Sequence, residues 1–323
     1  MDISIQDLIH RYPGRGKRPP RLALDRLSLH IDGGAFFVLT GPNGGGKSTL
    51  FRILCGLMRP SSGRVTLGGL DLLRQGSAVR QRLGVVFQKP ALDPHLTVRE
   101  NLAIHADLYR LDRTTFHRRL EENLVWTGLK DRLESPVKNL SGGLARQVEL
   151  VKVLLHTPPL ILMDEPTTGL DPGSRHAFLR AVRDIQRREG LTLLMTSHIF
   201  SEAEEADAMG ILQGGRLLAA DTPGALRASL GREVVVIQAH DPDAMEQELT
   251  GRQGLAVQRR NGEIRVEGAD GVALVEDLLA HHRGAIRHLT IKEPTLEDVF
   301  IHITGQSLDQ SDPAGDTGGR SLP

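Results

Sequence analysis

The chain of 323 residues has a single cysteine, Cys55, no excess charge of either sign and no long apolar run. Each shortage removes a class of protein. One cysteine cannot close an internal disulfide, so a reducing compartment is expected, with Cys55 a small core residue. Lys plus Arg and Asp plus Glu are both 40. A balanced chain offers no global field for nucleic acid, and none is expected as a partner. No stretch approaches the roughly 18 apolar residues that span a bilayer. The opening residues, Met1-Asp2-Ile3-Ser4-Ile5, lack the basic and apolar regions of a secretion signal. Action at a membrane would need another chain to do the spanning.

What the chain does have is glycine in a telling place. Gly41, Pro42, Asn43, Gly44, Gly45, Gly46, Lys47, Ser48 and Thr49 stand between an apolar run from Ala35 to Leu39 and a helical run from Leu50 to Leu54. Strand, glycine loop and helix in that order fit G-x-x-x-x-G-K-[ST], a phosphate-binding loop. Glycines let backbone N–H groups close on phosphate oxygens, and the helix N-terminus adds unpaired donors. Lys47 would neutralise the β- and γ-phosphates of a bound nucleotide. Ser48 would hold Mg²⁺, which prefers oxygen ligands.

The rest reads as an α/β chain. Short strands are expected over 3–10, 23–31 and 35–40, then 64–67 and 84–87, the last followed by Gln88. A basic loop with Arg11, Arg15, Lys17, Arg18 and Arg21 interrupts the first pair; it reads as solvated, or as a contact for an anion or membrane surface. Tyr12 at its start reads as a half-buried strand end or as a ring that stacks on a base. From 97 to 139 the pattern turns helical, with Thr97 a cap and a second helix from Asp112 to Trp126. Ser141-Gly142-Gly143 opens another helix, either as a plain cap or as a second anion-binding end. Leu160–Met163 reads as a strand buried on both faces, ending in Asp164 and Glu165. That is where ligands bind in an open parallel sheet. Asp164 suits Mg²⁺ held through water, and Glu165 suits polarising an attacking water. Asp171 precedes a helix over 173–188. A strand over 191–196 ends in Ser197 and His198, followed by a helix over 202–206 and a glycine-turned hairpin. A small α+β domain follows, with an Asn261-Gly262 hairpin turn. Its adjacent His281 and His282 make a poor metal pair and read as exposed. Residues 307–323 read as disordered.

These residues carry a family resemblance. Residues 1 to about 225 resemble the nucleotide-binding domain of ABC transporters, with Gly41–Thr49, Gln88, Leu140–Leu144, Leu160–Glu165 and His198 in the family's order. The resemblance implies a P-loop NTPase core with an antiparallel β subdomain and a helical subdomain. The implied domains are an ATPase domain over 1–230 (helical part about 90–158), an accessory α+β domain over 231–305 and a tail over 306–323. It implies ATP and Mg²⁺ as ligands. Glu165, His198 and Lys47 take catalytic roles, and Ser48, Gln88 and Asp164 hold the metal. Tyr12 stacks on adenine, and Asp171 matches a loop aspartate that contacts nucleotide. It also implies a head-to-tail homodimer in which Ser141, Gly142 and Gly143 of one subunit contact the γ-phosphate bound by the other.

The signature departs from the family's usual glutamine at Leu144, which puts any glutamine contact there in doubt. Leu144-Ala145-Arg146 looks more like the variant in daunorubicin-resistance-like ABC-2 exporters, as do residues 92–102 and 293–300. The implied partner is a separate membrane-spanning permease, docking near Lys89, Pro90, Leu92, Tyr109 and Leu111. The implied location is cytoplasmic, on the inner face of the membrane. The competing readings are an ATPase acting off the membrane, on ribosomes or DNA, and an importer ATPase.

Overall fold

A computed structural model describes residues 1–14, 19–230, 233–252, 255–260, 262–267 and 270–305. Arg15, Lys17 and Arg18 of the basic loop, Asn261 of the hairpin turn and the tail over 306–323 lie outside the described residues. The chain forms two compact units, one over Met1–Ala220 and one that begins at Asp221.

The first unit opens with β1 (Ile3–Tyr12) and β2 (Arg21–Ile31). These pair antiparallel, and with β4 (Ser62–Leu67) and β5 (Leu70–Asp71) they make a four-stranded sheet in the order β2-β1-β4-β5. Between β2 and β4 run β3 (Phe36–Thr40) and α1 (Lys47–Leu54). A short helix α2 (Gly76–Arg80) leads to β6 (Leu83–Val86). Three helices follow: α3 (Val98–Leu108), α4 (Arg113–Leu124) and α5 (Gly142–Leu154). Then come β7 (Leu160–Asp164), α6 (Pro172–Glu189), β8 (Thr192–Ser197), β9 (Ala208–Gln213) and β10 (Arg216–Asp221). The second sheet has the order β10-β9-β3-β8-β7-β6. Its pairs from β9 through β6 are parallel. Every residue of β3 and β8 is buried, as is β7 up to its last, which is why these strands read as unbroken apolar runs.

The three helices after β6 start where the sequence places polar caps. Thr97 Oγ1 accepts the Glu100 N–H at 3.1 Å while Glu100 returns the bond to the Thr97 N–H, a closed capping box. Asp112 accepts from the Thr115 N–H, and Ser141 from the Leu144 N–H. The helices bury Val98, Leu102, Phe116, Leu120, Val148 and Val151 in a core of their own, with Trp126 packed half-buried against it. A separate core joins the two sheets through Leu27, Leu39, Leu50, Phe51 and Leu160. The helical insertion is thus a subdomain with independent packing. The expected helix over 202–206 is instead a 3₁₀ helix, Phe200–Glu205. The Glu202 carboxylate is buried in that turn, accepting from the hydroxyls of Thr167 and Ser197.

The second unit holds α7 (Pro223–Ala228), β11 (Val234–Ala239), α8 (Pro242–Thr250), β12 (Ala256–Arg260), β13 (Glu263–Glu267), α9 (Gly271–His282), β14 (Ile286–Lys292) and α10 (Leu296–Thr304). From β11 to β14 this is a β-α-β-β-α-β succession folded into an antiparallel sheet of order β12-β13-β11-β14. Val235 and Ile237 face Met245, Leu249, Leu274 and Leu278 from α8 and α9. Arg265 alternates to the other face, where it meets the buried Asp298 of α10 at 2.6 Å. His282 is a correction to the reading of an exposed pair: it is half-buried, with Nε2 2.7 Å from Glu248, because the last turn of α9 leans on α8.

Gly84 shows how tightly β6 meets the helices. A Cβ there would lie 2.2 Å from Val153 Cγ1 and 2.9 Å from Pro158 Cγ. Gly84→Ala is expected to lower the unfolding free energy by about 1–3 kcal/mol, read by chemical denaturation. An unchanged midpoint and slope would disprove the contact.

Candidate functional site

The loop between β3 and α1 is held against two other strands. A Cβ on Gly41 would stand 2.0 Å from the Leu212 carbonyl oxygen of β9, and one on Gly46 would stand 2.7 Å from the Ala23 oxygen of β2. Both backbones lie at positive φ, 146° and 113°. Gly215 N–H donates to the Gly45 carbonyl at 2.9 Å, tying the loop to the β9–β10 turn. Lys47 begins α1 and is buried. Its Nζ donates to the carbonyls of Gly41 at 2.6 Å and Pro42 at 3.1 Å. Burial pushes its pKa down, opposed by the charges of Glu165 and Asp164.

A cavity of about 300 Å³ opens over this loop, lined by Tyr12, Arg21, Ala23, residues 42–49 and Glu165. Tyr12 closes one side. Its hydroxyl is 3.2 Å from Thr49 Oγ1, and its ring stands edge-on to His10 at 4.8 Å. Arg21 reaches the Gly44 carbonyl at 3.2 Å. An aromatic wall, two cations and a glycine backbone ending in a helix N-terminus suit a nucleotide polyphosphate. Cys55, just past α1, is buried, with its thiol pushed up to about 12 by burial first and by Asp164 second, so it is chemically quiet.

The carboxylates enter from β7. Thr196 on β8 fixes both of them. Its hydroxyl donates to Asp164 Oδ1 at 2.6 Å and accepts the Glu165 N–H at 3.1 Å. Burial raises the Asp164 pKa, with the Thr196 bond opposing. Glu165 has φ +43°, a left-handed backbone that costs a non-glycine residue about 1–3 kcal/mol. Three side chains converge on its Oε2: Gln88 Nε2 at 3.2 Å, His198 Nδ1 at 3.2 Å and Thr168 Oγ1 at 3.3 Å. Gln88 follows β6 and His198 follows β8, so the cluster sits at the carboxyl ends of adjacent parallel strands.

Ser141, Gly142, Gly143 and Asp171 line none of this cavity. They form a second group, where the starts of α5 and α6 meet. Asp171 caps α6 by accepting the Ser174 N–H at 2.9 Å, and bonds from Ser174 hold its carboxyl below the usual carboxylate range. A Cβ on Gly143 would lie 3.0 Å from Ser174 Oγ. Ser141 and Gly142 are exposed. Of the expected docking residues, Lys89 and Pro90 are exposed, Leu92 and Leu111 pack on the helical core, and Tyr109 stacks on His156 at 3.7 Å. Sequence reasoning missed Thr196 and Thr168. The only signal for Thr196 was a hydroxyl inside an apolar strand beside two carboxylates.

A family model described as "ABC transporter" matches residues 24–168. A second, described as "ATP-binding protein DrrA1-3-like, C-terminal domain", matches residues 222–304. The chain is 33% identical over 297 residues to Nod factor export ATP-binding protein I of Rhizobium etli, covering 90% of this chain and 91% of that protein. It is 34% identical over 292 residues to linearmycin resistance ATP-binding protein LnrL of Bacillus subtilis, covering 87% and 93%. An ATP-binding cassette solved as a dimer in a post-hydrolysis state with ADP and Pi superposes with a TM-score of 0.61 at 25% identity, over 68% of this chain and 98% of that one.

Gly46→Ala would force its Cβ against the Ala23 carbonyl or pull the loop off β2. The expected result is at least about tenfold weaker binding of a fluorescent ATP analogue, the scale of 1.4 kcal/mol. Affinity equal to the parent chain's would show that the cavity does not need this geometry.

Proposed function

We infer, for a chain that belongs to the ABC transporter family of ATP-binding proteins, that it binds and hydrolyses ATP to drive export through a separate membrane-spanning chain. ATP hydrolysis goes with the family. Export is supported by the relatives' names, Nod factor export and linearmycin resistance, and by the C-terminal family match over residues 222–304. Among the described residues no helix is long and apolar enough to cross a membrane. A permease partner is therefore part of the proposal, with the chain peripheral on the membrane. Lys89 and Pro90, exposed beside Gln88, are the proposed contact. The second unit is the accessory domain of this assembly.

The observation that carries the reading is the convergence of Gln88, His198 and Thr168 on one oxygen of Glu165 at the mouth of the glycine cradle. Glu165 orients the attacking water and takes its proton as the new bond to the γ-phosphorus forms and the bond to the bridging oxygen breaks. His198 holds the Glu165 carboxylate and meets the γ-phosphate. Lys47 exchanges the carbonyls of Gly41 and Pro42 for phosphate oxygens, and Tyr12 faces the base. Asp171 contributes from the start of α6. Ser48, Gln88 and Asp164 offer a hydroxyl, an amide and a carboxylate, an oxygen set that fits Mg²⁺ with waters and phosphate in the remaining positions. When bound, the ion neutralises charge on the β- and γ-phosphates.

The exposed Ser141–Gly143 turn belongs to the other half of the reaction. In a dimer of two copies it closes on the γ-phosphate held by the partner, adding donors where charge develops. The superposition with a cassette solved as a dimer supports this arrangement.

Glu165→Gln is expected to cut ATP turnover by at least about a hundredfold while leaving ATP affinity within about threefold. Retained turnover would remove Glu165 from the water-activating role. Purification from native membranes is expected to bring down a polytopic membrane protein. Ribosomes in its place would overturn the transport reading.

A further inference from the structure

Helix α5 does more than present its first turn. Arg146, one turn and a half into it, is buried together with Glu149, at 3% and 0% side-chain exposure. Arg146 Nη1 donates to Glu149 Oε2 and to the Phe87 carbonyl, both at 2.6 Å, and Nη2 donates to the Gln88 carbonyl. Glu149 Oε1 accepts the Ala91 N–H at 3.0 Å, and Lys152 Nζ donates to the Ala91 carbonyl at 2.6 Å. The segment that carries Gln88 is therefore bolted to α5 by its backbone. Gln88's side chain meanwhile points the other way, to Glu165 Oε2 at 3.2 Å.

The two ends of this linkage face different places. One end is the cluster around Glu165. The other is the Ser141–Gly143 turn, exposed and roughly 7.5 Å along the helix axis from Arg146 at 1.5 Å per residue. A buried ion pair is not needed for stability, since apolar side chains of the same volume often hold a fold as well or better. An apolar pair would not grip the Phe87 and Gln88 carbonyls. The planar guanidinium fork does that in a fixed geometry.

We propose that Arg146 and Glu149 are positioning residues that transmit the nucleotide state of one cavity, through the Gln88 segment and α5, to the Ser141–Gly143 turn that closes the partner copy's cavity. The two sites then hydrolyse ATP cooperatively. When nucleotide draws the Gln88 side chain, its backbone pulls Arg146, and α5 moves as a rigid rod. Neither residue touches nucleotide. The proposal rests on the reading that two copies close on each other.

The test uses the full chain. ATP turnover is measured against ATP concentration for the parent and for R146M/E149L, with binding of a fluorescent ATP analogue and chemical denaturation in parallel. Dimer formation with ATP is measured in Glu165→Gln. The parent is expected to show a Hill coefficient approaching two, the number of sites. R146M/E149L is expected to fall to about one, with analogue affinity within about twofold and no loss of unfolding free energy. An unchanged Hill coefficient in the variant, with a cooperative parent that dimerises, overturns the linkage. A parent coefficient of one together with no dimer of Glu165→Gln overturns the dimer reading and the linkage with it. Should the double variant fail to fold, Arg146→Lys decides. It keeps the charge but loses the fork, and the same fall in Hill coefficient is expected. An unchanged value there is equally fatal.

Discussion

The carbonyl of Leu212 at the end of β9 sits where a side chain of the glycine loop would have to be. That contact governs the chemistry of the first unit. The backbone between β3 and α1 can lie this close to β9 and β2 only because it carries no Cβ at Gly41 and Gly46, and only in a conformation that other residues resist. Once there, it forms the cavity floor and turns Lys47 inward to its own carbonyls. The cradle is thus a product of the central sheet. Its shape depends on β2, β3 and β9 keeping their places, and it is assembled before any ligand arrives.

The opposite wall is made differently. Where the loop is fixed by the absence of side chains, Asp164 and Glu165 are fixed by one hydroxyl. Thr196 serves both because it donates to one and accepts from the other, which a single rotor can do at once. It helps hold Glu165 in a backbone region that a glutamate leaves when unsupported. The strain aims the carboxylate at Gln88 and His198 rather than along the strand. Ser141, Gly142, Gly143 and Asp171 gather elsewhere, at the meeting of α5 and α6, so one copy holds two incomplete surfaces rather than one complete one.

Much of this was legible because it depends on local signals. The glycine loop, the caps at Thr97, Asp112 and Ser141, and the unbroken apolar strands each announce themselves within a few residues. The small helices α2 and α7 did not, at five and six residues, because neither is long enough to show a helical period. His282 was misread because its partner Glu248 is far along the chain. Arg146 escaped for a more general reason. An arginine among helical residues reads as a solvated face, and nothing local says that its guanidinium turns in toward β6. Contacts between a side chain and a distant backbone carbonyl leave no pattern in sequence.

The separate packing of the helical subdomain has an optical consequence. The chain has one tryptophan, Trp126, and it belongs to that subdomain's core rather than to the one between the sheets. Light emitted by its indole therefore reports on the helices alone. A change in emission colour or quenching when nucleotide arrives would be a message from the insertion and not from the cradle. The molecule carries its own single-site label on the part that is free to move independently.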